Sequence, residues 1–250
     1  ILTHATEQVD LPAADTVDAF LPAYEPRQVL DPDEPYSIGA MVGPEAFEEV
    51  RYLAHARQLA ALERIPELAE EFAESFGRDS GGLVHPYRSA DAEVVVVAMG
   101  SVLGTIKDVV DGQREAGHRI GALGITSFRP FPGDAVRNAL AGAQRVVVVE
   151  KAFSVGFGGV LSTDVAMALS GLPVTLSTVV AGLGGRPITK SSLGNIFTAA
   201  LRGEAERLTF LDLKTELVVR ELERMSVRRR SGPTAENVLR DIGSVGSGIG

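Results

Sequence analysis

The amino-acid sequence predicts an α/β protein whose parallel strands alternate with crossover helices, and three observations carry that prediction. Four apolar runs, Val94 to Ala98, Ile120 to Ser127, Val146 to Val149 and Val174 to Val180, are separated by helical patterns within residues 91–186. The runs are rich in β-branched residues and lack polar alternation, as strands buried on both faces require. Each ends in punctuation: Gly100-Ser101, Arg129-Pro130-Phe131-Pro132, Glu150-Lys151 and Gly182-Leu183-Gly184-Gly185-Arg186. Ligands and partners of such sheets meet the loops at the strands' carboxyl ends.

Taken in order, residues 11–44 hold Pro12, Pro22, Pro26, Pro32, Pro35 and Pro44 among acids. Prolines at that density remove backbone donors and fix φ, so the segment reads as an extended surface connector without regular helix. From Glu45 to Phe76, apolar residues recur at Phe47, Val50, Ala54, Leu59, Leu62, Ile65, Leu68, Phe72 and Phe76, spaced by three, four or nearly so. That spacing predicts an amphipathic helix, kinked or split at Pro66 and ended by Gly77. Ser101 is the expected N-cap of the first crossover helix, with Ile106, Val109 and Val110 inward and Lys107 paired to Asp111 one turn on. Gly117 stops it. Asp134 to Leu140 and Gly158 to Leu169 predict the next two helices, and Thr189 caps a fourth carrying Leu193, Ile196, Phe197 and Leu201. Leu208 to Met225 reads as one more amphipathic helix, followed by a short helix near Pro233 and a glycine- and serine-rich end. The predicted organisation is a connector over 1–44, a linking helix over 45–82, a compact α/β domain over 83–203 and a helical tail over 204–250.

Composition narrows the function. The net charge of −9 disfavours nucleic acid and anionic membrane, which reward clustered Lys and Arg. The basic cluster is Arg228-Arg229-Arg230. The chain has no cysteine, so disulfides, thiolate metal sites and a cysteine nucleophile are excluded within it. No apolar run approaches the roughly 20 residues of a membrane span, and no leader pattern opens the chain, so a cytoplasmic location is expected. Ile1 opens the sequence and Met41 is its first methionine, which predicts a piece of a longer protein.

The familiar chemical motifs fail on specific residues. Gly100 and Gly104 lack the third glycine and the ribose-gripping acid of a dinucleotide site. The segment Gly184 to Ser191 has the length of a phosphate-binding P-loop, and Val146 to Glu150 imitates a magnesium-site strand. Thr189, however, stands where the loop needs glycine, and Pro187 removes a backbone donor. A nucleotide-binding module using Lys190 and Glu150 is the alternative of another class. There is no Gly-x-Ser-x-Gly elbow, and His4, His55, His85 and His118 lack metal-ligand spacing, so catalytic, cofactor and metal residues are each assigned as none. Two rigid loops remain as the candidate interface: Arg129 and Phe131 in the first, Gly182, Gly184, Gly185 and Arg186 in the second. Either suits an anionic ligand, but an Arg-and-aromatic pair fits buried protein contacts better; loop rigidity alone is the plainer explanation.

In order, these landmarks resemble the alpha subunit of the 2-oxoacid:ferredoxin oxidoreductases, pyruvate synthase in particular, over essentially the whole chain. The matching pieces are Ile1-Leu2-Thr3-His4, the Phe20-Leu21-Pro22-Ala23-Tyr24-Glu25-Pro26 connector, Glu70-Glu71-Phe72 through Phe76-Gly77-Arg78, Ala98-Met99-Gly100-Ser101 with Gly104 to Asp111, and the two rigid loops. The resemblance implies that the compact domain is the three-layer α/β/α, transketolase C-terminal-like unit of that subunit, with a mostly parallel mixed sheet containing one antiparallel strand. It implies a reaction in which a 2-oxoacid and coenzyme A yield acyl-CoA, carbon dioxide and reduced ferredoxin. Thiamine diphosphate, Mg2+, [4Fe-4S] clusters and coenzyme A would then belong to the complete enzyme and be held by companion domains. The beta and other subunits and, through the complex, ferredoxin would be the partners. The pyrimidine-binding domain, with its thiamine-activating glutamate and substrate-gripping arginine, would precede Ile1, so no catalytic residue transfers to this chain. The same domain of a 2-oxoglutarate or branched-chain 2-oxoacid enzyme is the alternative within the family.

Overall fold

A computed structural model describes residues 9–26, 28–35, 39, 41–227 and 234–245. The predicted Ile1 to His4 start and the Arg228-Arg229-Arg230 cluster lie outside them.

The compact unit is a six-stranded sheet in the order β1-β3-β2-β4-β7-β8. Its strands are β1 (Val84–Tyr87), β2 (Val94–Ala98), β3 (Ile120–Ile125), β4 (Arg145–Glu150), β7 (Thr175–Val180) and β8 (Leu208–Phe210); β5 (Phe153–Ser154) and β6 (Gly158–Gly159) form a small hairpin apart from it. β1 runs antiparallel to β3 and every other pairing is parallel. The mixed sheet implied by the resemblance is therefore present. Alternate residues of one strand feed opposite cores. Val94, Val96 and Ala98 join Val147, Val149, Leu193 and Phe197 on one face, while Val95 and Val97 join Val146, Val148, Leu140 and Val165 on the other. On the first face lie α3 (Val102–Glu115) and α6 (Lys190–Arg202); on the second lie α4 (Gly133–Leu140) and α5 (Leu161–Ala168). Helix on both faces explains why the strands carry no polar alternation.

Several expectations are corrected. The segment Leu208 to Phe210 is a strand, not the start of a helix, because Leu208, Thr209 and Phe210 pair in register with Thr178, Val179 and Val180; helix α7 begins at Thr215. The sheet thus continues beyond residue 203. Between Pro12 and Pro22 lies α1 (Ala14–Phe20), a helix where none was expected. Two prolines bracket nine proline-free residues, room enough for the seven of the helix, and Pro22 follows the C-cap as a stop. The helix α2 (Phe47–Phe76) runs unbroken through Pro66, so the proline does not split it. Ser101 sits at the N-cap of α3 but its hydroxyl makes no capping bond. Lys107 does not pair with Asp111: it lies 3.2 Å from His85 and 5.0 Å over the Tyr87 ring, whereas Asp111 accepts from the Tyr87 hydroxyl at 2.9 Å and pairs with Arg88. Both partners were drawn away by β1, the strand the sequence pattern missed. Thr189 caps α6 as expected, accepting from the Ser192 amide at 3.1 Å.

Candidate functional site at the carboxyl edge of the sheet

Chain order and sheet order diverge at β2. From it the chain moves outward to β3 on one side, then returns to place β4 on the other. The loops leaving β2 and β4 consequently part, and a crevice opens between them, where ligands of open parallel sheets bind. A cleft of about 720 Å³ occupies this position. Its walls come from Met99, Gly100, Ser101, Val102 and Thr105 after β2, Phe128 after β3, Val149 to Ala152 at the end of β4, Val160 and Leu161 entering α5, and Gly182, Gly185, Arg186 and Ile188 after β7.

Of the six residues singled out beforehand, Gly182, Gly185 and Arg186 line this cleft, whereas Arg129, Phe131 and Gly184 do not. Arg129 is tied to its own domain. Its guanidinium pairs with Asp164 of α5 at 3.0 Å, stacks 4.1 Å over the Phe128 ring and donates to the Phe128 carbonyl. Phe131 packs against the core beneath α4 and α5. The Arg129-Pro130 peptide is cis, and Ser127 donates to the Pro130 carbonyl across the same turn. In the second loop Gly182, Gly184 and Gly185 have φ of 77°, 65° and 83°, which explains the glycine run. Arg186 donates to the Asp212 carbonyl at 2.5 Å, latching this loop to the segment after β8.

The residue that sequence reasoning misplaced is Glu150. Its carboxylate accepts from the amides of Val160, Leu161 and Ser162 at 2.8, 2.7 and 3.0 Å, capping the first turn of α5 from a neighbouring strand. A Cβ on Gly159 would overlap that carboxylate, so glycine is required there. No metal-binding role is left for oxygens so engaged. Lys190 does not line the cleft; it pairs with Asp108 at 2.8 Å on the exposed outer surface. The nucleotide-binding alternative built on Glu150 and Lys190 therefore fails: one carboxylate caps a helix, the lysine pairs elsewhere, and the Thr189 hydroxyl turns back into its own helix. Among the described residues no three His, Cys, Asp or Glu side chains gather as a metal site.

The model of the pyruvate:ferredoxin oxidoreductase core domain II matches residues 92–193, which span β2 through the first turn of α6. This chain carries the core domain II of that family. Core domain II accordingly comprises the switch-point cleft and both rigid loops. Over a wider stretch, the chain is 40% identical to pyruvate synthase subunit PorA of Methanosarcina barkeri across 225 residues, covering 87% of this chain and 56% of the relative. It is 33% identical to ketoisovalerate oxidoreductase subunit VorA of Pyrococcus horikoshii across 192 residues, covering 76% of this chain and 49% of the relative. The chain spans about half the length of these relatives. A 2-oxoglutarate:ferredoxin oxidoreductase from Magnetococcus marinus superposes on 58% of this chain and 23% of its own at 15% identity and a TM-score of 0.38, too loose a fit to carry an argument. The ordered motifs thus led to the right family although no single one is diagnostic. Among the described residues, no helix is long and apolar enough to cross a membrane.

Proposed function

We propose that this chain is the C-terminal part of the alpha subunit of a cytoplasmic 2-oxoacid:ferredoxin oxidoreductase that converts pyruvate and coenzyme A to acetyl-CoA and carbon dioxide while reducing ferredoxin. The observation that carries the proposal is the 40% identity to a pyruvate synthase subunit over 87% of the chain, with core domain II inside it. The part played here is assembly: the rigid loops at the carboxyl edge and the proline-rich connector hold a pyrimidine-binding domain against the beta and other subunits. Thiamine diphosphate, Mg2+ and [4Fe-4S] clusters belong to the complete enzyme. The residues present do not fit a cluster, since the chain has no cysteine thiolate to ligate iron. The relative named for ketoisovalerate supports a second reading, a branched-chain 2-oxoacid as substrate of the same machinery.

The test is co-purification of the tagged chain with the companion subunits. Arg186→Glu and Arg129→Glu are expected to lower recovery of the beta subunit severalfold without lowering the melting temperature of the chain by more than a few degrees. Unchanged recovery would count against docking through these loops. In the assembled complex, ferredoxin reduction with pyruvate, 3-methyl-2-oxobutanoate or 2-oxoglutarate identifies the substrate, and turnover by the isolated chain would defeat the assembly role.

A further inference from the structure

The switch-point cleft has an apolar wall and a cation, Lys151, that lie outside the two rigid loops. Its walls are mostly apolar: Met99, Val102, Phe128, Val160, Leu161 and Ile188. Its charged lining consists of Glu150, Lys151 and Arg186. Glu150 is only 7% exposed and its oxygens are occupied by three α5 amides, so it presents little negative charge to the cleft. Lys151 has no ion-pair partner among the described residues and is exposed. Arg186 spends one Nη on the Asp212 carbonyl. A half-open, mostly apolar cleft with a few polar groups on its lining, of a size that falls within the roughly 300–1,000 Å³ of small-molecule sites, has the composition of a ligand pocket.

We propose that this cleft binds a small amphiphilic organic anion, a carboxylate with an aliphatic or aromatic body, its charge held by Lys151 and Arg186 and its body against Met99, Val102 and Phe128. A bare anion would leave the apolar wall in water, and a neutral hydrocarbon would make no use of the two exposed cations at its edge. A molecule with both halves uses the whole lining. The size of the cleft selects ligands larger than a three-carbon acid. The site shares Arg186 with the proposed docking loop, whereas Lys151 lies in neither rigid loop, so a Lys151 variant tests the site without altering the docking residues.

The experiment uses the full 250-residue chain and the fluorescent amphiphilic anion anilinonaphthalene sulfonate, with phenylpyruvate and inorganic phosphate as competitors. Expected are saturable binding at one site, weakening of about tenfold in Lys151→Glu, recovery in Lys151→Arg, and displacement by phenylpyruvate but not by phosphate. Lys151 is exposed, so its variants keep the fold, and melting temperatures check this. Probe binding that is indifferent to Lys151→Glu would overturn the proposal, because the dye would then report exposed apolar surface such as Phe157. Displacement by phosphate as effective as by phenylpyruvate would overturn the amphiphilic assignment, leaving a bare anion site.

Discussion

Glu150 shows how one side chain can serve a neighbour in space better than a neighbour in sequence. Three amides at the start of α5 would be without acceptors if its carboxylate were removed, and its burial denies them water. Glu150→Ala is expected to lower the unfolding free energy by about 2–4 kcal/mol in urea titration. Glu150→Gln, which keeps one acceptor oxygen, should recover part of the loss. Arg114 is a second cross-link. It donates to Asp91 at 2.7 Å and to the carbonyls of Ile120 and Arg88, joining the end of α3 to the β1–β2 loop and the start of β3. The Arg114 guanidinium holds the Asp91 carboxyl below its ordinary range, chiefly through that hydrogen bond. A depressed folded-state value stabilises the fold above the unfolded value near ~4 and loses that contribution as pH falls through the folded value. Asp91→Asn should therefore lower the melting temperature at pH 6, and the difference between the two proteins should shrink as the pH falls below the ordinary carboxylate range.

At the scale of elements, α2 is the outlier. It is 30 residues long and none of them is buried. Ala61, Leu62, Ile65, Ala69, Phe72 and Phe76 in its second half are half-covered, with Phe20 of α1 stacked edge-on at 6.0 Å from Phe72 and 5.1 Å from Phe76. The first half, including Phe47, Val50, Tyr52 and Leu53, is exposed throughout. A helix without a packed face has little tertiary support beyond its own hydrogen bonds. Amides of the first half should exchange with deuterium orders of magnitude faster than those of β2 and β4, which hydrogen-exchange mass spectrometry resolves by peptide; equal protection would mean that this face is covered. The amphipathic period of α2 is plain in the sequence, yet the period states which face is apolar, not what meets it. The strand β1 escaped detection for a related reason. Its Val-His-Pro-Tyr composition has no apolar run, and Pro86 is accommodated because β1 lies at the sheet edge.

At the scale of the whole molecule, the sheet is closed at its far edge by β8, and the segment after it buries Leu211 and Leu217. Truncation after residue 204 would expose the edge of β7 and remove both leucines, each worth about 1.5–3 kcal/mol when fully buried. The truncated chain is expected to melt at lower temperature and to aggregate, as read by calorimetry and light scattering; an unchanged melting transition would show that β8 is dispensable. The cleft is a property of this scale as well. It exists because β3 and β4 leave β2 on opposite sides, and it collects Met99, Phe128, Lys151 and Arg186 from four separate loops.

The central strands, the crossover helices of the compact domain, the Thr189 cap and the family were all legible in the sequence, because each rests on local patterning: β-branched runs, apolar spacing, capping residues and motif order. The α1 helix, the two edge strands, the Glu150 cap, the redirected Asp111 and Lys107, and the gathering of the cleft were decided only by tertiary structure. These depend on contacts between residues far apart in the chain, and periodicity carries no information about which distant residue a side chain will meet.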